Sequence, residues 1–315
     1  MPPETNELSM STIKQQRNGH IALLGSNVMW GIMAPISKFV LAGGIVTSAA
    51  LTDIRIFGGT LLFWLASMFI KPERVDGRKD FLKLFGAGFF STAFNQICFI
   101  KGVSLTSPVD ASICTSTLPI WTMIMAAVFL KEPVTGKKAG GVLLGLSGAL
   151  LLVFFGNSRG AGNSSNIWGD LLCLLSQVSY GVYLVFFQDV IKKYSPVTLM
   201  KWKYTFGALI LLPVSFSGLF SVDWSSLPSD QWSGLAYILL CGTFLSYMIV
   251  PIGQKHLRPT VVAMYNYLQP ITATLVAILW GLDSFNVVKL IAVVLIFSGV
   301  MLVNKSRAAG QNAKA

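Results

Sequence analysis

Charge is what this 315-residue sequence has least of. Only 12% of its residues are Asp, Glu, Lys or Arg, against roughly 25% in a soluble globular domain. Hydrophobic residues make up 53% and the mean hydropathy is +0.65, so the chain is expected in lipid. Acidic residues are scarcer still, with 13 Asp and Glu against 24 Lys and Arg. Asp53, Asp110, Asp170 and Asp189 all map toward the ends of apolar segments. A carboxylate placed to relay protons across a bilayer is therefore missing, and proton coupling has no support in the sequence. The two histidines, His20 and His256, lie far apart and flank apolar segments, which excludes a paired metal or catalytic role. Cys98, Cys114, Cys173 and Cys241 fall inside apolar segments, without the spacing of a metal site or a disulfide framework. No phosphate-cradling glycine loop or nucleophile elbow occurs, which argues against ATP-driven transport and hydrolase chemistry. A membrane-embedded lipid-processing enzyme needs His, Asp or Glu clustered at one interface, and none is visible. The expectation is a non-enzyme with no cofactor and no metal.

What the sequence does have is long apolar runs. They cover residues 21–41, 49–70, 81–100, 111–130, 141–155, 167–187, 199–220, 232–252, 261–282 and 290–303. A hydrocarbon core of about 30 Å takes roughly 20 apolar residues in a helix, because lipid cannot satisfy an open backbone. The runs are too long and too little alternating for β-barrel strands. An all-α integral membrane protein with ten transmembrane helices is predicted.

The net charge of +11 fits this picture without nucleic acid. With a cytoplasmic amino terminus, the inward segments hold Lys71, Arg74, Arg78, Lys79, Lys83, Lys131, Lys137, Lys138, Lys192, Lys193, Lys201, Lys255, Arg258 and Lys305. The outward side keeps Arg159 and Lys289, with Lys38 and Lys101 near helix ends. This asymmetry predicts an even helix count with both termini cytoplasmic. The polar stretch 1–20 reads as a cytoplasmic tail, not a cleaved signal peptide.

The two halves also match. A shift of 151 positions sets Thr92 on Thr243, Gly102 on Gly253, Pro119 on Pro270 and Ser147-Gly148 on Ser298-Gly299. A shift of 150 pairs Asn27 with Gln177, Trp30 with Tyr180 and Gly31 with Gly181; a shift of 148 pairs Arg55 with Lys203 and Gly59 with Gly207. Because five helices per copy is odd, the second copy enters from the opposite side, an inverted repeat. The organisation is a tail (1–20), a first repeat (21–156), a linker (157–166), a second repeat (167–304) and a tail (305–315).

In the order of its motifs the sequence resembles the drug/metabolite transporter superfamily, and within it the EamA-like exporters. The carriers are Asn27-Val28-Met29-Trp30-Gly31, Arg55, Ser107-Pro108, Leu118-Pro119, Leu130-Lys131-Glu132-Pro133, Gly169-Asp170 and Gln177-Val178-Ser179-Tyr180. Where the family usually has Gly-Glu in the second half, this chain reads Gly281-Leu282-Asp283. The resemblance implies a ten-helix bundle around a central cavity, with export of amino acids or similar metabolites. It implies no particular substrate, and broad efflux of drugs, nucleosides or nucleotide sugars stands as the alternative.

Substrate-binding candidates follow from cost. An amide left unpaired in hydrocarbon is expensive, so Asn27, Asn95, Gln96, Gln177, Asn266 and Gln269 read as cavity residues or interhelical hydrogen-bonding groups. Trp30, Tyr180, Tyr247, Tyr265 and Tyr267 offer flat faces with polar tips. Ser112, Thr115, Ser116, Pro119 and Thr122 share one helical face, opposite the repeat mate Pro270; the hydroxyls also suit plain helix packing. Arg55 could hold a carboxylate or serve a structural pair. Lys203 reads as a side chain snorkelling to the cytoplasmic face, and Trp168, Trp202, Trp224 and Trp232 as interfacial anchors. The Gly141 to Gly145 spacing suits close packing inside the bundle more than a dimer interface, so a monomer is favoured over a dimer. The expected partners are a small-molecule substrate and membrane lipid.

Overall fold

A computed structural model describes residues 3–71, 73–105, 114–155, 167–215, 217–220, 222–280 and 287–306. The described residues are helical and contain no strand. A helix lies on each apolar run: α1 Pro3–Ala42, α2 Ser48–Met68, α3 77–105, α4 Leu118–Phe129, α5 Gly136–Phe155, α6 Ile167–Phe186, α7 Pro196–Ser215, α8 Ser229–His256, α9 259–279 and α10 Val287–Asn304. By length and apolarity alone, α2, α6, α8 and α10 qualify as spans among the described residues. Exposed Leu61, Met68, Leu143, Leu209, Leu279 and Met301 stud the outer faces, as expected of helices bathed in acyl chains. The polar stretch before residue 21 is not a separate coil: α1 starts at Pro3 and runs unbroken into the apolar segment. Ser107, Pro108, Asp110, Ser112, Arg159, the linker 157–166 and Gly281-Leu282-Asp283 lie outside the described residues.

Packing follows the repeat. The first helix of each half packs on the third helix of the other, α1 on α8 and α6 on α3. It also packs on the fourth helix of the other half, α1 on α9 and α6 on α4. The second helices meet each other (α2 on α7), as do the fourth (α4 on α9) and the fifth (α5 on α10). These last pairs join the two halves. Glycine makes the α5–α10 contact possible: a Cβ on Gly141 would sit 2.8 Å from the Gly299 carbonyl oxygen, and one on Gly299 2.5 Å from that of Gly141. The small-residue spacing in α5 thus serves packing within the chain.

Irregularities recur in register as well. In α3 residues Phe89–Ala93 form a π-turn, and in α8 so do Leu240–Leu245; a shift of 151 superposes them. A third π-turn, Ile54–Gly58, lies in α2. Such turns insert a residue into the i→i−4 ladder and are frequent at functional sites. The fourth helices share a break too, since α4 begins anew at Leu118 after a turn, while α9 passes through a 3₁₀ turn at Tyr265–Tyr267. Pro119 therefore stands in the first turn of α4 and kinks nothing.

The two ends of the bundle close differently. At one, residues 73–83 of the first half meet 189–195 of the second through polar contacts. The Lys193 ammonium lies 2.9 Å from Asp76 and 2.6 Å from Asp80, and Lys83 pairs with Asp189. The Tyr194 hydroxyl donates to Asp80 at 2.6 Å, and Ser195 donates to Glu73 from both backbone N–H and hydroxyl. At the other end Val40, Val46, Leu51, Val222, Leu227 and Leu235 form an apolar cluster.

Candidate functional site

The interior between the halves is aromatic and polar, and the π-turn of α8 organises it. A π-turn leaves backbone carbonyls without their usual helical donors. Side chains supply donors here: Trp30 Nε1–H donates to the Gly242 carbonyl at 3.0 Å, and the Ser246 hydroxyl to the same oxygen at 2.8 Å. The Thr243 hydroxyl donates back to Ile238 at 2.9 Å and accepts from Arg55 Nε at 3.3 Å. Trp30 and Arg55, from the first two helices, are thus both tied to one turn of the eighth.

A train of aromatic rings continues from Trp30. Its ring lies 5.1 Å from Tyr247, Tyr247 lies 5.5 Å from Tyr204, and Tyr204 lies 5.0 Å from Phe63. On α6 the Tyr180 and Tyr183 rings are 5.6 Å apart, and the Tyr183 hydroxyl donates to Gln254 Oε1 at 3.1 Å. Lys203 rises into this enclosure. Its Nζ is 4.9 Å from the centroids of both Tyr183 and Tyr247 and 5.7 Å from that of Tyr204. With 1% of its surface exposed, Lys203 does not snorkel. Its side chain turns inward because tyrosine faces replace part of the ammonium's lost hydration.

Amides form a second cluster where α1 meets α9. Gln269 Nε2 donates to Asn27 Oδ1 at 3.0 Å and lies 3.3 Å from Asn266 Oδ1, while Asn27 Nδ2 donates to the Leu23 carbonyl at 2.8 Å. Pro270 follows on α9, half-buried. Tyr265 is drawn away to His20, its hydroxyl 2.7 Å from His20 Nδ1, and Tyr267 reaches the Val142 carbonyl of α5. Between α3 and α6, Asn95 Nδ2 donates to the Ser176 carbonyl at 2.7 Å and Gln177 Nε2 to the Ser176 hydroxyl at 3.0 Å. Gln96 is half-buried beside them in sequence. Thr115, Ser116 and Pro119 sit at the entry of α4, with Ser116 and Pro119 buried.

Of the residues singled out by sequence, the structure gathers Trp30, Arg55 and Tyr247 at one turn, and Asn27, Asn266 and Gln269 in one amide cluster. Asn95 and Gln177 converge on Ser176. Sequence reasoning missed Tyr183, Tyr204, Thr243, Gln254 and the inward path of Lys203. Two signals were available: Tyr183 follows Tyr180 by three positions and Gln254 follows Tyr247 by seven, so each pair shares a helix face; and Lys203 is the repeat mate of Arg55. Such an interior can present amide donors and acceptors, aromatic faces and two cations to a small polar solute. A separate groove of about 630 Å³, lined by Val75, Gly77, Arg78, Phe81, Leu82, Phe85 and Phe206, includes none of these interior groups. Its apolar lining suits acyl chains.

The chain matches the model of the EamA-like transporter family twice, over residues 17–154 and 167–305. It is similar to "Uncharacterized transporter YyaM" of Bacillus subtilis, 24% identical, with 90% of this chain and 92% of that protein aligned. "Uncharacterized transporter YdfC" of the same organism is 27% identical over 89% of this chain and 88% of that protein. "Uncharacterized inner membrane transporter YicL" of Salmonella typhimurium is 22% identical over 91% of this chain and 95% of that protein. A crystal structure of a protein with 18% identity superposes with a TM-score of 0.74, covering 92% of this chain and 96% of the other.

Proposed function

The chain belongs to the EamA-like transporter family of the drug/metabolite transporter superfamily, and from that premise we propose that it exports amino acids or similar small organic metabolites by alternating access. In this reading ten helices cross the cytoplasmic (inner) membrane as two inverted five-helix repeats, with both termini in the cytoplasm. The solute binds in the interior between the halves, where Asn27, Gln269, Trp30, Tyr180, Tyr247 and Arg55 present polar and aromatic contacts.

One observation carries the proposal: four of the interior hydrogen bonds are made across the repeat boundary. Trp30 bonds to Gly242, Arg55 to Thr243, Asn27 to Gln269 and Asn95 to Ser176. A rocking of one half against the other must then remodel the solute site, which is what alternating access requires. The unequal ends supply the gates. The polar latch of Glu73, Asp76 and Asp80 with Lys193 and Ser195 lies at the lysine- and arginine-rich, cytoplasmic end by the positive-inside rule. It opens and closes in turn with the apolar seal around Val40 and Leu235.

The test is efflux from proteoliposomes loaded with labelled amino acids, comparing the natural protein with Asn27→Ala, Asn266→Ala and empty vesicles. Faster efflux of at least one amino acid, reduced by either substitution, supports the reading. Rates equal to empty vesicles for every amino acid, together with drug or nucleoside efflux, would replace it with broad-specificity efflux.

A further inference from the structure

Among the described residues, no carboxylate is paired with the buried Lys203 amine. Its side chain is 1% exposed, and tyrosine rings stand at 4.9 Å on two sides. Among the described residues the ion pairs are Lys83–Asp189, Lys138–Glu132, Lys193–Asp76 and Lys193–Asp80, and Lys203 is in none of them. The acids on the helices packed around it are engaged elsewhere. Asp80, at the start of α3, is held by Lys193 and Tyr194. Asp53 of α2 is turned toward Gly218. Asp230, in the first turn of α8, accepts from the Gln231 N–H. A second cation, Arg55, the repeat mate of Lys203, acts electrostatically on the same Tyr204 and Tyr247.

A charge removed from water is costly unless it is paired, and the aromatic faces offset only part of that cost. An anion placed beside the amine, between Tyr183 and Tyr247, would offset the remainder. Resting on the transport reading above, we infer that Lys203 is the anchor for an anionic group of the solute, a carboxylate, so that the protein selects organic acids and amino acids over amines of the same shape. The tyrosine rings flank the bound carboxylate's carbon skeleton, and Arg55, whose Nε donates to Thr243, adds a second positive charge to the same interior. The inference gives Lys203 a role in specificity and explains why the interior carries two cations.

Matched acid–amine pairs test it on the purified full-length protein in detergent: 3-phenylpropionate against 3-phenylpropylamine, 3-indolepropionate against tryptamine, and butyrate against butylamine. Thermal unfolding and tryptophan fluorescence report binding, since a ligand that binds the folded state stabilises it by mass action. At least one acid is expected to stabilise the protein saturably while its amine does not. Lys203→Met should weaken that acid roughly tenfold or more, in line with a lost charge-assisted hydrogen bond, and Lys203→Arg should keep most of the affinity. Amines binding as well as acids, no acid binding, or Lys203→Met binding the acid like the natural protein would each overturn the inference. Should Lys203→Met not fold, the acid–amine comparison on the natural protein decides. Acid binding without any efflux would contradict the transport reading alone; efflux unaltered in Lys203→Met would contradict this inference alone.

Discussion

Gly31 and Gly181 occupy matching positions in the first helix of each half, and each lets that helix close onto the fourth helix of the other half. A Cβ on Gly31 would fall 2.5 Å from Thr272 Cβ and 2.9 Å from the Gln269 carbonyl oxygen; one on Gly181 would meet Met125 Cε at 2.7 Å. The two contacts are alike in place and unlike in give. A backbone carbonyl moves only with its helix, whereas a methionine end can swing aside. Gly31→Ala should therefore destabilise the protein by about 1–3 kcal/mol, as overpacking does, and Gly181→Ala by less. Thermal unfolding of the two variants checks the order, and equal losses would contradict it.

Trp30 is tied in two ways, by its ring to Tyr247 and by its N–H to the Gly242 carbonyl in the π-turn. Trp30→Phe keeps most of the first and deletes the second, leaving that carbonyl to Ser246. A loss of about 1 kcal/mol of stability is expected for one hydrogen bond, with a measurable drop in solute affinity. Isothermal titration alongside unfolding separates these effects; full affinity in Trp30→Phe would mean the indole N–H positions nothing.

Glu132 and Lys138 form an ion pair of 2.6 Å, with Lys138 fully buried and Glu132 at 7% exposure, just past the turn where Lys131 adopts a φ of 52°. Removing one partner leaves a buried charge unpaired, a loss of about 3–5 kcal/mol; replacing both by apolar groups can be nearly neutral. Glu132→Gln should thus be worse than the double variant Glu132→Leu with Lys138→Met. Denaturation of both in parallel shows whether the pair couples this way.

Glu73 lies in the loop between α2 and α3, outside the spans. Partial burial pushes its carboxyl up, but hydrogen bonds from Ser195 and Thr198 and the charge of Lys255 together outweigh this and hold it below its ordinary 4.5. A depressed carboxyl contributes stability that is complete above its unfolded value and is lost as pH falls through the folded one. The natural protein should therefore unfold at higher temperature than Glu73→Gln at pH 7, and the gap should narrow as pH falls below 4.5. A gap that does not change with pH would assign the contact to packing alone.

The helices were legible because an apolar run of bilayer length has few other fates, and the repeat was legible because offsets of 151, 150 and 148 survived in glycines and prolines that packing constrains. Trp30, Arg55 and Asn27 stood out as costly groups in apolar surroundings. Two things were not legible. The π-turns at Phe89–Ala93 and Leu240–Leu245 leave no mark in composition, since an inserted residue looks like any other apolar residue. The direction of Lys203 was misread because a long side chain near a helix end can run either way; the tyrosines that draw it inward come from α6 and α8, remote in sequence.

Counterflow in proteoliposomes is the most direct measurement of the central claim, that a small organic solute passes through the interior shared by the two halves. Vesicles preloaded with unlabelled L-phenylalanine and diluted into the labelled compound should accumulate label transiently and well above protein-free vesicles, and Asn27→Ala should blunt that overshoot. Accumulation identical to protein-free vesicles for L-phenylalanine and for each other amino acid tried, or an overshoot untouched by substitutions at Asn27, Trp30 and Gln269, would contradict it.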